Sequence, residues 1–394
     1  NTMASLSAAV STATNTLRNG NQCFDRVFGL CSIAVVTPFT KDGLVDFSGM
    51  KEVIDHVGNA GSGRNGAGSI IVCGSTGEQH SMTVSEKKDI YHSSIKFAVN
   101  SKMPIVAGVS AVTTSDAVFL AQEAVNAGCQ GIMLGLPPYL NLIDEDITSY
   151  VETIIQSIAV DVNESSKDNN QKDNTCKKKV PKVPILLYNN TGRNGYGPST
   201  QTILSWYEKG WIGGIKIVGS ENKSLENTAI EINDACTGIR IYTGSDIMYT
   251  ELKRKQYLNS STSSSPVYGL TSIIGNLYPK EIIDTVYNLN DCCQKKENET
   301  ENENEKNEEN KGNKETRSST LDKLFQETII MDEKISKITK IILNNLSLPV
   351  GVKWAMNIGL NINVGTCRPP LGSISKEKEK EIQIALNDFK NITH

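Results

Sequence analysis

The chain has 394 residues, which is enough for one large domain or two smaller ones with a sizeable core. Hydrophobic residues make up 38% and charged residues 21%, as in an ordinary soluble protein, and the net charge of −4 argues against a nucleic-acid-binding protein, which needs a basic face. No apolar run approaches the roughly 18 to 20 residues of a membrane span, so we expect neither nucleic acid nor membrane as a partner.

The chain begins with a segment that lacks acidic residues. Residues 1–22 contain no Asp or Glu, one Arg, and many Ser, Thr and Ala residues. This composition fits the remnant of an organelle transit peptide and equally a floppy terminus, so we predict a disordered tail over 1–22. The protein is accordingly expected in the cytoplasm or in a plastid.

Eight short apolar runs rich in Val and Ile follow this tail. Most are separated by stretches long enough for a helix, such as 48–60 and 115–127, where apolar residues recur at helical spacing. This alternation predicts an α/β fold, a (β/α)8 TIM barrel over 23–290. An open doubly wound sheet is the alternative, but the first strand–helix turn, TPFTKDG, lacks a GxGxxG phosphate loop. The runs are 31–39, 69–78, 104–111, 131–139, 183–190, 213–219, 239–246 and 267–276.

Three segments do not fit this alternation and look like insertions. Segments 163–182 and 259–266 each precede a strand, so we expect both on the face opposite the one where barrel enzymes build active sites. Segment 294–317 has no apolar residue and is predicted to be disordered, because it cannot bury enough surface to become ordered. Residues 318–394, with recurring Leu and Ile, are predicted to form a C-terminal helical annex.

The cysteines and histidines follow no metal-binding or disulfide pattern. Nine cysteines are scattered without a CxxC pair, which fits reduced and mostly buried thiols. The four histidines have no ligand spacing such as HxxxH. We therefore expect no metal.

Polar side chains occur at the predicted carboxyl ends of the strands, where barrel enzymes carry out their chemistry. The second strand ends in GSTGE (74–78), whose hydroxyls, Ser75 and Thr76, and neighbouring N–H groups are placed to face an anion. The fifth strand ends in Tyr188 and runs into a glycine-rich loop with Arg193. A guanidinium there suits a bidentate carboxylate contact, and a surface arginine is the alternative.

Lys216 is the strongest single candidate. It lies in GGIKIVG (213–219), which otherwise reads as a buried strand, and with Ile215 and Ile217 turned toward the helices its side chain points into the lumen. Desolvation there favours the neutral amine, which attacks a carbonyl carbon to form a Schiff base. The alternative is a structural lysine paired with Glu78 or Asp246.

Six motifs at strand ends, in chain order, carry a resemblance to a known family. Together with VGVKWAMNIGL (350–360) and CRPPLGSIS (367–375) in the annex, they resemble the dihydrodipicolinate synthase / N-acetylneuraminate lyase family of class I aldolases. The six motifs are GSTGE (74–78), PPY (137–139), LLYNNTGRNG (186–195), GGIKIVG (213–219), YTGSD (242–246) and GLTSIIGNLYP (269–279).

The resemblance implies a reaction and a role for each candidate. The reaction is the condensation of pyruvate with aspartate semialdehyde in lysine biosynthesis through diaminopimelate. Lys216 would form the imine with pyruvate, while Tyr188 and Ser75 relay protons. Thr76 would hold the pyruvate carboxylate, and Arg193 would bind the carboxylate of aspartate semialdehyde.

The resemblance also bears on the rest of the site and on assembly. Gly244 and Thr271 are expected at the substrate site. The covalent pyruvate imine takes the place of a cofactor, so none is expected. The small-molecule partners are pyruvate and aspartate semialdehyde, and the family pattern implies a homodimer or homotetramer.

Two residues depart from the family pattern. Leu140 follows the PPY tyrosine, where the synthases commonly carry a second tyrosine that completes the proton relay across a subunit contact. Ile217 follows the lysine, where they usually carry glutamate. Either the relay ends differently here or the substrate differs. The alternatives are an N-acetylneuraminate lyase or other pyruvate-dependent keto-acid aldolase of the family, and a catalytically inactive barrel that acts as a binding protein.

Overall fold

The computed structural model describes residues 22–60, 68–101, 103–163, 177–218, 222–236, 238–258, 266–305, 311–344 and 346–393. The tail predicted over 1–22 lies outside the described residues except for Gln22. The insertion predicted over 259–266 lies outside them except for Pro266. The compartment, which depended on that tail, stays a prediction.

Parallel strands close into a barrel, which confirms the predicted (β/α)8 fold. The strands are β1 (Cys31–Ala34), β2 (Ile70–Val72), β3 (Ile105–Val109), β4 (Gly131–Gly135), β7 (Ile185–Asn190), β8 (Gly214–Val218), β9 (Arg240–Thr243) and β10 (Gly269–Ser272). Within the described ranges these eight pair in the order β1, β10, β9, β8, β7, β4, β3, β2. Because β1 pairs with both β10 and β2, the sheet has no open edge, and the doubly wound alternative is wrong. Each strand lies within one of the eight apolar runs, buried on both faces as the continuous apolar pattern requires.

Helices cover the outside of this barrel, and the two segments expected to be helical, 48–60 and 115–127, are confirmed. Polar residues fix several helix starts: Thr83 and Glu86 form a capping box at α3, and Thr113 caps α4. The helices are α1 (22–28), α2 (Phe47–Ala60), α3 (Val84–Phe97), α4 (Thr114–Ala127), α5 (Asp144–Ser157), α6 (Thr191–Asn194), α7 (Thr200–Glu208), α8 (Asn222–Ala235), α9 (Asp246–Leu258), α10 (Pro279–Glu305), α11 (Lys311–Leu343), α12 (Leu348–Ala355) and α13 (Lys376–Thr393).

The short helix α1 fills the amino end of the barrel. Its Phe24 and Phe28 are fully buried and stack with ring centroids 4.5 Å apart, and both meet the ring of Tyr242 edge-on from inside the lumen. Arg240, at the start of β9, donates to both carboxylate oxygens of Asp25 at 2.9 and 2.8 Å. Aromatic packing and this ion pair therefore hold α1 across the amino ends of the strands.

The insertion predicted over 163–182 is partly ordered as a hairpin. Strands β5 (Ala159–Asn163) and β6 (Lys177–Pro181) pair antiparallel outside the barrel, while 164–176 lies outside the described residues. Lys178 Nζ donates to the carbonyl of Glu208 at 2.7 Å, where α7 ends before β8 begins. The hairpin therefore lies toward the amino ends of the strands, the face that the sequence predicted.

The prediction of disorder over 294–317 requires correction. Helix α10 continues through 294–305 and α11 begins at Lys311, so this segment is helical on both sides of 306–310, which lie outside the described residues. Glu297 accepts a hydrogen bond from Gln256 at 2.8 Å, and Lys296 lies over the ring of Tyr257. Glu and Lys are good helix formers, so packed helices extend through residues that bury no apolar surface of their own.

The predicted C-terminal annex is helical, in α11, α12 and α13. Side chains of α11 share an apolar cluster with α9 and α10, in which Tyr257 and Phe325 stack with centroids 3.8 Å apart. In the ranges that the structure describes, no helix has both the length and the apolar character needed to cross a membrane.

Candidate active site

A cavity of about 260 Å³ opens at the carboxyl ends of the barrel strands. It brings together six of the seven residues that the sequence singled out: Ser75, Thr76, Tyr188, Arg193, Lys216 and Gly244. The rest of its wall is formed by Ala34, Met133, Asn190, Gly192, Val218, Ile273 and Leu348. Residues far apart in the chain therefore meet at the face predicted for chemistry.

Thr271 is the exception, and its place at the substrate site stays a prediction. It is fully buried in β10, opposite Ser32 of β1, and does not line the cavity. The strand ends at Ser272, and the cavity wall begins beyond it at Ile273. Thr271 therefore stays within the sheet.

Lys216 projects from the middle of β8 and is 6% exposed. The strand register places it opposite Tyr188 on β7 and Tyr242 on β9. Its Nζ lies 5.0 Å from the centroid of the Tyr188 ring. Burial lowers the pKa of Lys216, although Tyr188 and Asp246 act in the opposite direction. The site thus favours a neutral, nucleophilic amine.

The structural alternative for Lys216 named two carboxylates, and both are engaged elsewhere. Glu78 forms an ion pair with Lys353 at 2.6 Å. Asp246 accepts hydrogen bonds from the hydroxyl of Ser272 and, at 3.3 Å, from the N–H of Ile273. Lys216 makes no ion pair with any carboxylate in the described part of the chain.

Gly244 leaves room for the Lys216 side chain. A Cβ atom at this position would lie 2.7 Å from Lys216 Cε and 2.6 Å from Val218 Cγ2. Carbon atoms do not approach this closely without displacement. A side chain at the glycine of YTGSD would therefore displace the end of the Lys216 side chain from this position.

Tyr188 lies near the end of β7 with its ring beside the amine, and a neighbouring side chain holds its hydroxyl. Asn190 Nδ2 donates to this hydroxyl at 2.8 Å. Burial alone would raise the pKa of Tyr188, but Lys216 and hydrogen bonds with Asn190 and Ser75 outweigh it and hold the pKa below its ordinary value. A phenol whose ionised form is stabilised in this way is suited to proton transfer.

Asn190 is a site residue that the sequence analysis missed. Besides contacting Tyr188, its Oδ1 accepts the N–H of Arg193 at 3.1 Å and so caps the short helix α6. Its spacing of two residues from Tyr188 could have identified it, because residues two apart in a strand face the same side. Asn190 thus links the phenol to the loop that carries the guanidinium.

Arg193 is exposed at the mouth of the cavity. It also borders a second cavity of about 250 Å³, which shares Ser75, Met133, Tyr188 and Asn190 with the first. Arg193 makes no ion pair with a carboxylate among the described residues. The two adjoining spaces offer an inner position at Lys216 and an outer position at a free guanidinium.

The described residues contain no group of three or more His, Cys, Asp or Glu side chains arranged to hold a metal ion. The expectation of a site without metal or cofactor stays a prediction. The cysteines Cys31, Cys73 and Cys129 are buried free thiols, as expected from the sequence.

Comparisons with known proteins agree with this architecture. The sequence profile of the Dihydrodipicolinate synthetase family matches residues 27–162. The 4-hydroxy-tetrahydrodipicolinate synthase of Acetivibrio thermocellus is 25% identical over 364 residues, which span 92% of this chain and 98% of the relative. That of Clostridium novyi is 28% identical over 257 residues, spanning 64% of this chain and 71% of the relative.

Solved structures extend the comparison to the fold. A chloride-inhibited dihydrodipicolinate synthase from Acinetobacter baumannii, crystallised with pyruvate, has a TM-score of 0.66 and 22% identity. The match covers 91% of this chain and 98% of that chain. A dihydrodipicolinate synthase from Bacillus anthracis gives a TM-score of 0.65 over 91% of this chain and 98% of that chain, at 20% identity. At these identities the likeness establishes the shared fold.

Proposed function

From the match of residues 27–162 to the Dihydrodipicolinate synthetase family and from the synthases to which the chain is similar, we propose that it is a lyase of that family and condenses pyruvate with aspartate 4-semialdehyde. The product would be 4-hydroxy-tetrahydrodipicolinate, the compound in the relatives' names, and the reaction would serve lysine biosynthesis. The observation that carries the proposal is the buried amine of Lys216, which lies beside the Tyr188 ring and makes no ion pair with a carboxylate among the described residues.

The first half of the proposed reaction takes place on Lys216. The neutral amine attacks the carbonyl carbon of pyruvate, and loss of water gives an imine. Once protonated, the imine accepts the electron pair released when a methyl proton of pyruvate leaves, which produces an enamine. The imine itself is the electron sink, so the reaction requires no cofactor. Tyr188 and Ser75 would carry the protons, and the hydroxyl of Thr76 would hold the pyruvate carboxylate.

The second half joins the enamine carbon to the aldehyde carbon of the second substrate. The aldehyde oxygen takes up a proton, and the new carbon–carbon bond uses the enamine electron pair, which restores the imine to Lys216. The amino group from aspartate semialdehyde then attacks the imine carbon, which closes the ring and releases the Lys216 amine. Aspartate semialdehyde carries a carboxylate, and Arg193 stands at the outer cavity without a carboxylate partner among the described residues. A bidentate contact there would orient the aldehyde toward the enamine.

We also propose that the protein assembles as a homodimer or homotetramer. The loop after β4 presents Tyr139, 92% exposed, and Leu140 and Ile143 are exposed there too. Val112, which follows β3, is also exposed. Large apolar side chains that stand in solvent at an active-site rim fit a subunit contact. Light scattering checks the mass in solution, and a monomer at micromolar concentration would contradict this assembly.

The proposed substrates are tested by a paired assay. Wild-type protein should consume aspartate semialdehyde only when pyruvate is present. It should cleave N-acetylneuraminate negligibly, because the N-acetylmannosamine part of that molecule lacks the carboxylate that Arg193 would bind. Cleavage of N-acetylneuraminate without reaction of aspartate semialdehyde would replace the synthase proposal with the lyase alternative. Failure to form a pyruvate imine would favour the inactive-barrel alternative.

Arg193→Ala should raise the KM for aspartate semialdehyde about tenfold or more, since a hydrogen-bonded charge contact is lost. The KM for pyruvate, measured in the same preparation, should change far less and serves as the internal control. Arg193→Lys keeps the charge but loses the two-pronged geometry, so its KM for the semialdehyde should fall between those of wild type and Arg193→Ala. An equal rise in both KM values would contradict the assignment of Arg193 to the second substrate.

A further inference from the structure

An ion pair ties the turn after β2 to the annex. Glu78, the last residue of GSTGE, has its Oε1 2.6 Å from Nζ of Lys353 in α12. The two side chains are 0% and 1% exposed. Removing two charges from water is costly, so such a pair is weak evidence of a stabilising role by itself. Its position in the fold indicates a different role.

The second oxygen of Glu78 is also engaged by the annex. Glu78 Oε2 accepts the N–H of Arg368 at 2.9 Å, and the Arg368 guanidinium donates to the carbonyl of Ser81 at 2.8 Å. Lys353 Nζ donates in turn to the carbonyl of Thr366 at 3.2 Å. Two annex residues, Lys353 and Arg368, therefore converge on one carboxylate of the barrel.

The turn itself has an unusual backbone at this residue. Glu78 adopts φ 55° and ψ 39°, in the left-handed region that residues with a Cβ rarely occupy. On the other side of the turn, Thr37 Oγ1 donates to the carbonyl of Gly77 at 2.7 Å. The residues between Gly74 and Glu78 are thus held from both the barrel and the annex.

The same turn carries two side chains of the cavity. Ser75 and Thr76 line it, three and two residues before Glu78, and Leu348 of α12 completes the wall from the annex side. Helix α12 therefore touches the cavity directly through Leu348 and indirectly through Lys353 and Glu78. A small shift of α12 would move both the wall and the hydroxyls.

We propose that Glu78 and Lys353 form a positioning pair, which sets Ser75 and Thr76 against the pyruvate that binds at Lys216. This inference rests on the proposed function, because the pair acts through the two residues assigned to pyruvate. It makes the annex part of the catalytic geometry, although the annex supplies no reacting group.

The test compares Glu78→Gln and Lys353→Met with wild type in steady-state kinetics and in borohydride trapping with pyruvate. Because a misplacement of about 1 Å can reduce rates on the order of 10²-fold, kcat/KM for pyruvate should fall about 10- to 100-fold. At saturating pyruvate the trapped adduct on Lys216 should persist, since the amine is untouched. If the pair acts as a unit, the double variant should lose no more than either single variant.

Two further variants separate positioning from folding. Lys353→Arg keeps the charge and should recover part of the kcat/KM lost in Lys353→Met. Asp25→Asn breaks the ion pair with Arg240 at the other end of the barrel, so it should lower the melting temperature and leave the KM for pyruvate unchanged.

The outcomes are distinct. If Glu78→Gln and Lys353→Met lower the melting temperature but keep the wild-type kcat/KM for pyruvate, the pair is structural and the inference is wrong. If Glu78→Gln does not fold, the comparison of Lys353→Met with Lys353→Arg decides, and equal kcat/KM values in the two would overturn the inference. If wild-type protein traps no pyruvate, the proposed function fails, and the positioning pair fails with it.

Discussion

Lys216→Arg will lose both the pyruvate adduct and turnover. Wild-type protein treated with pyruvate and borohydride should carry a three-carbon adduct on the peptide that contains Lys216, because reduction traps the imine. Arginine keeps a positive charge at all accessible pH values and offers no free amine, so neither the imine nor the enamine can form. Mass spectrometry of the digested protein measures the adduct, and a coupled assay measures turnover.

A second buried lysine gives the matched control. Lys253 in α9 is 4% exposed and, like Lys216, has its pKa lowered by burial, but it does not line the cavity. In the Lys253→Met variant, pyruvate and borohydride should still label Lys216. An adduct on Lys253, or an active wild type in which Lys216 is unmodified, would show that burial of a lysine amine does not identify the nucleophile here.

The pH dependence of imine formation follows from the same burial. Only the neutral amine attacks pyruvate, so the rate should rise with pH through the pKa of Lys216. Because burial lowers that pKa, the rate should level off below the value of about 10.4 that is ordinary for lysine. A profile that continues to rise to that value would indicate an amine in a solvent-like environment.

Tyr188→Phe should retain the imine but turn over about 10² times more slowly, the usual scale for a lost proton-transfer group. Phenylalanine preserves the ring against which Lys216 packs and removes the hydroxyl that Asn190 and Ser75 contact. Borohydride trapping at saturating pyruvate measures the amount of imine, and kcat measures the effect of the lost proton transfer.

Tyr242→Phe is the matched control for this variant. Tyr242 is the other neighbour of Lys216 across the sheet, but its hydroxyl donates to the carbonyl of Gly29 at the amino end of the barrel. Its removal should cost about 1 kcal/mol of stability and change kcat little. Similar losses of kcat in both variants would show that packing around Lys216, and not proton transfer, limits the rate.

The barrel and the inner site follow from local patterns in the sequence. A strand buried on both faces must be almost wholly apolar, so each interruption at a strand end, such as Lys216 or Tyr188, stands out. Ser75 and Thr76 were found in the same way. Asn190 was missed because it follows another polar residue, Asn189, and only the strand's alternation separates the two.

The annex contributions could not be found from patterns of this kind. Leu348 and Lys353 lie in an ordinary apolar helix more than 250 residues after GSTGE, and spacing along the chain does not reveal which distant segments pack together. Thr271 was placed at the site by resemblance, whereas the strand ends before the cavity wall begins. The helices over 294–305 and 311–317 were missed because composition indicates only how much apolar surface a segment can bury. A polar segment can also become helical as the continuation of an adjoining helix that is itself packed.

The packing of α1 across the amino end of the barrel determines the route by which small molecules reach Lys216. Since Phe24 and Phe28 fill the amino end, the described part of the barrel admits small molecules to Lys216 from the carboxyl end, past Arg193. Two molecules that enter by the same opening bind one after the other. Under the proposed function, pyruvate would have to reach Lys216 before aspartate semialdehyde binds at Arg193, and the product would have to leave before the next round could begin. The closed amino end of the barrel would then determine the order of binding and release as much as the chemistry at Lys216 does.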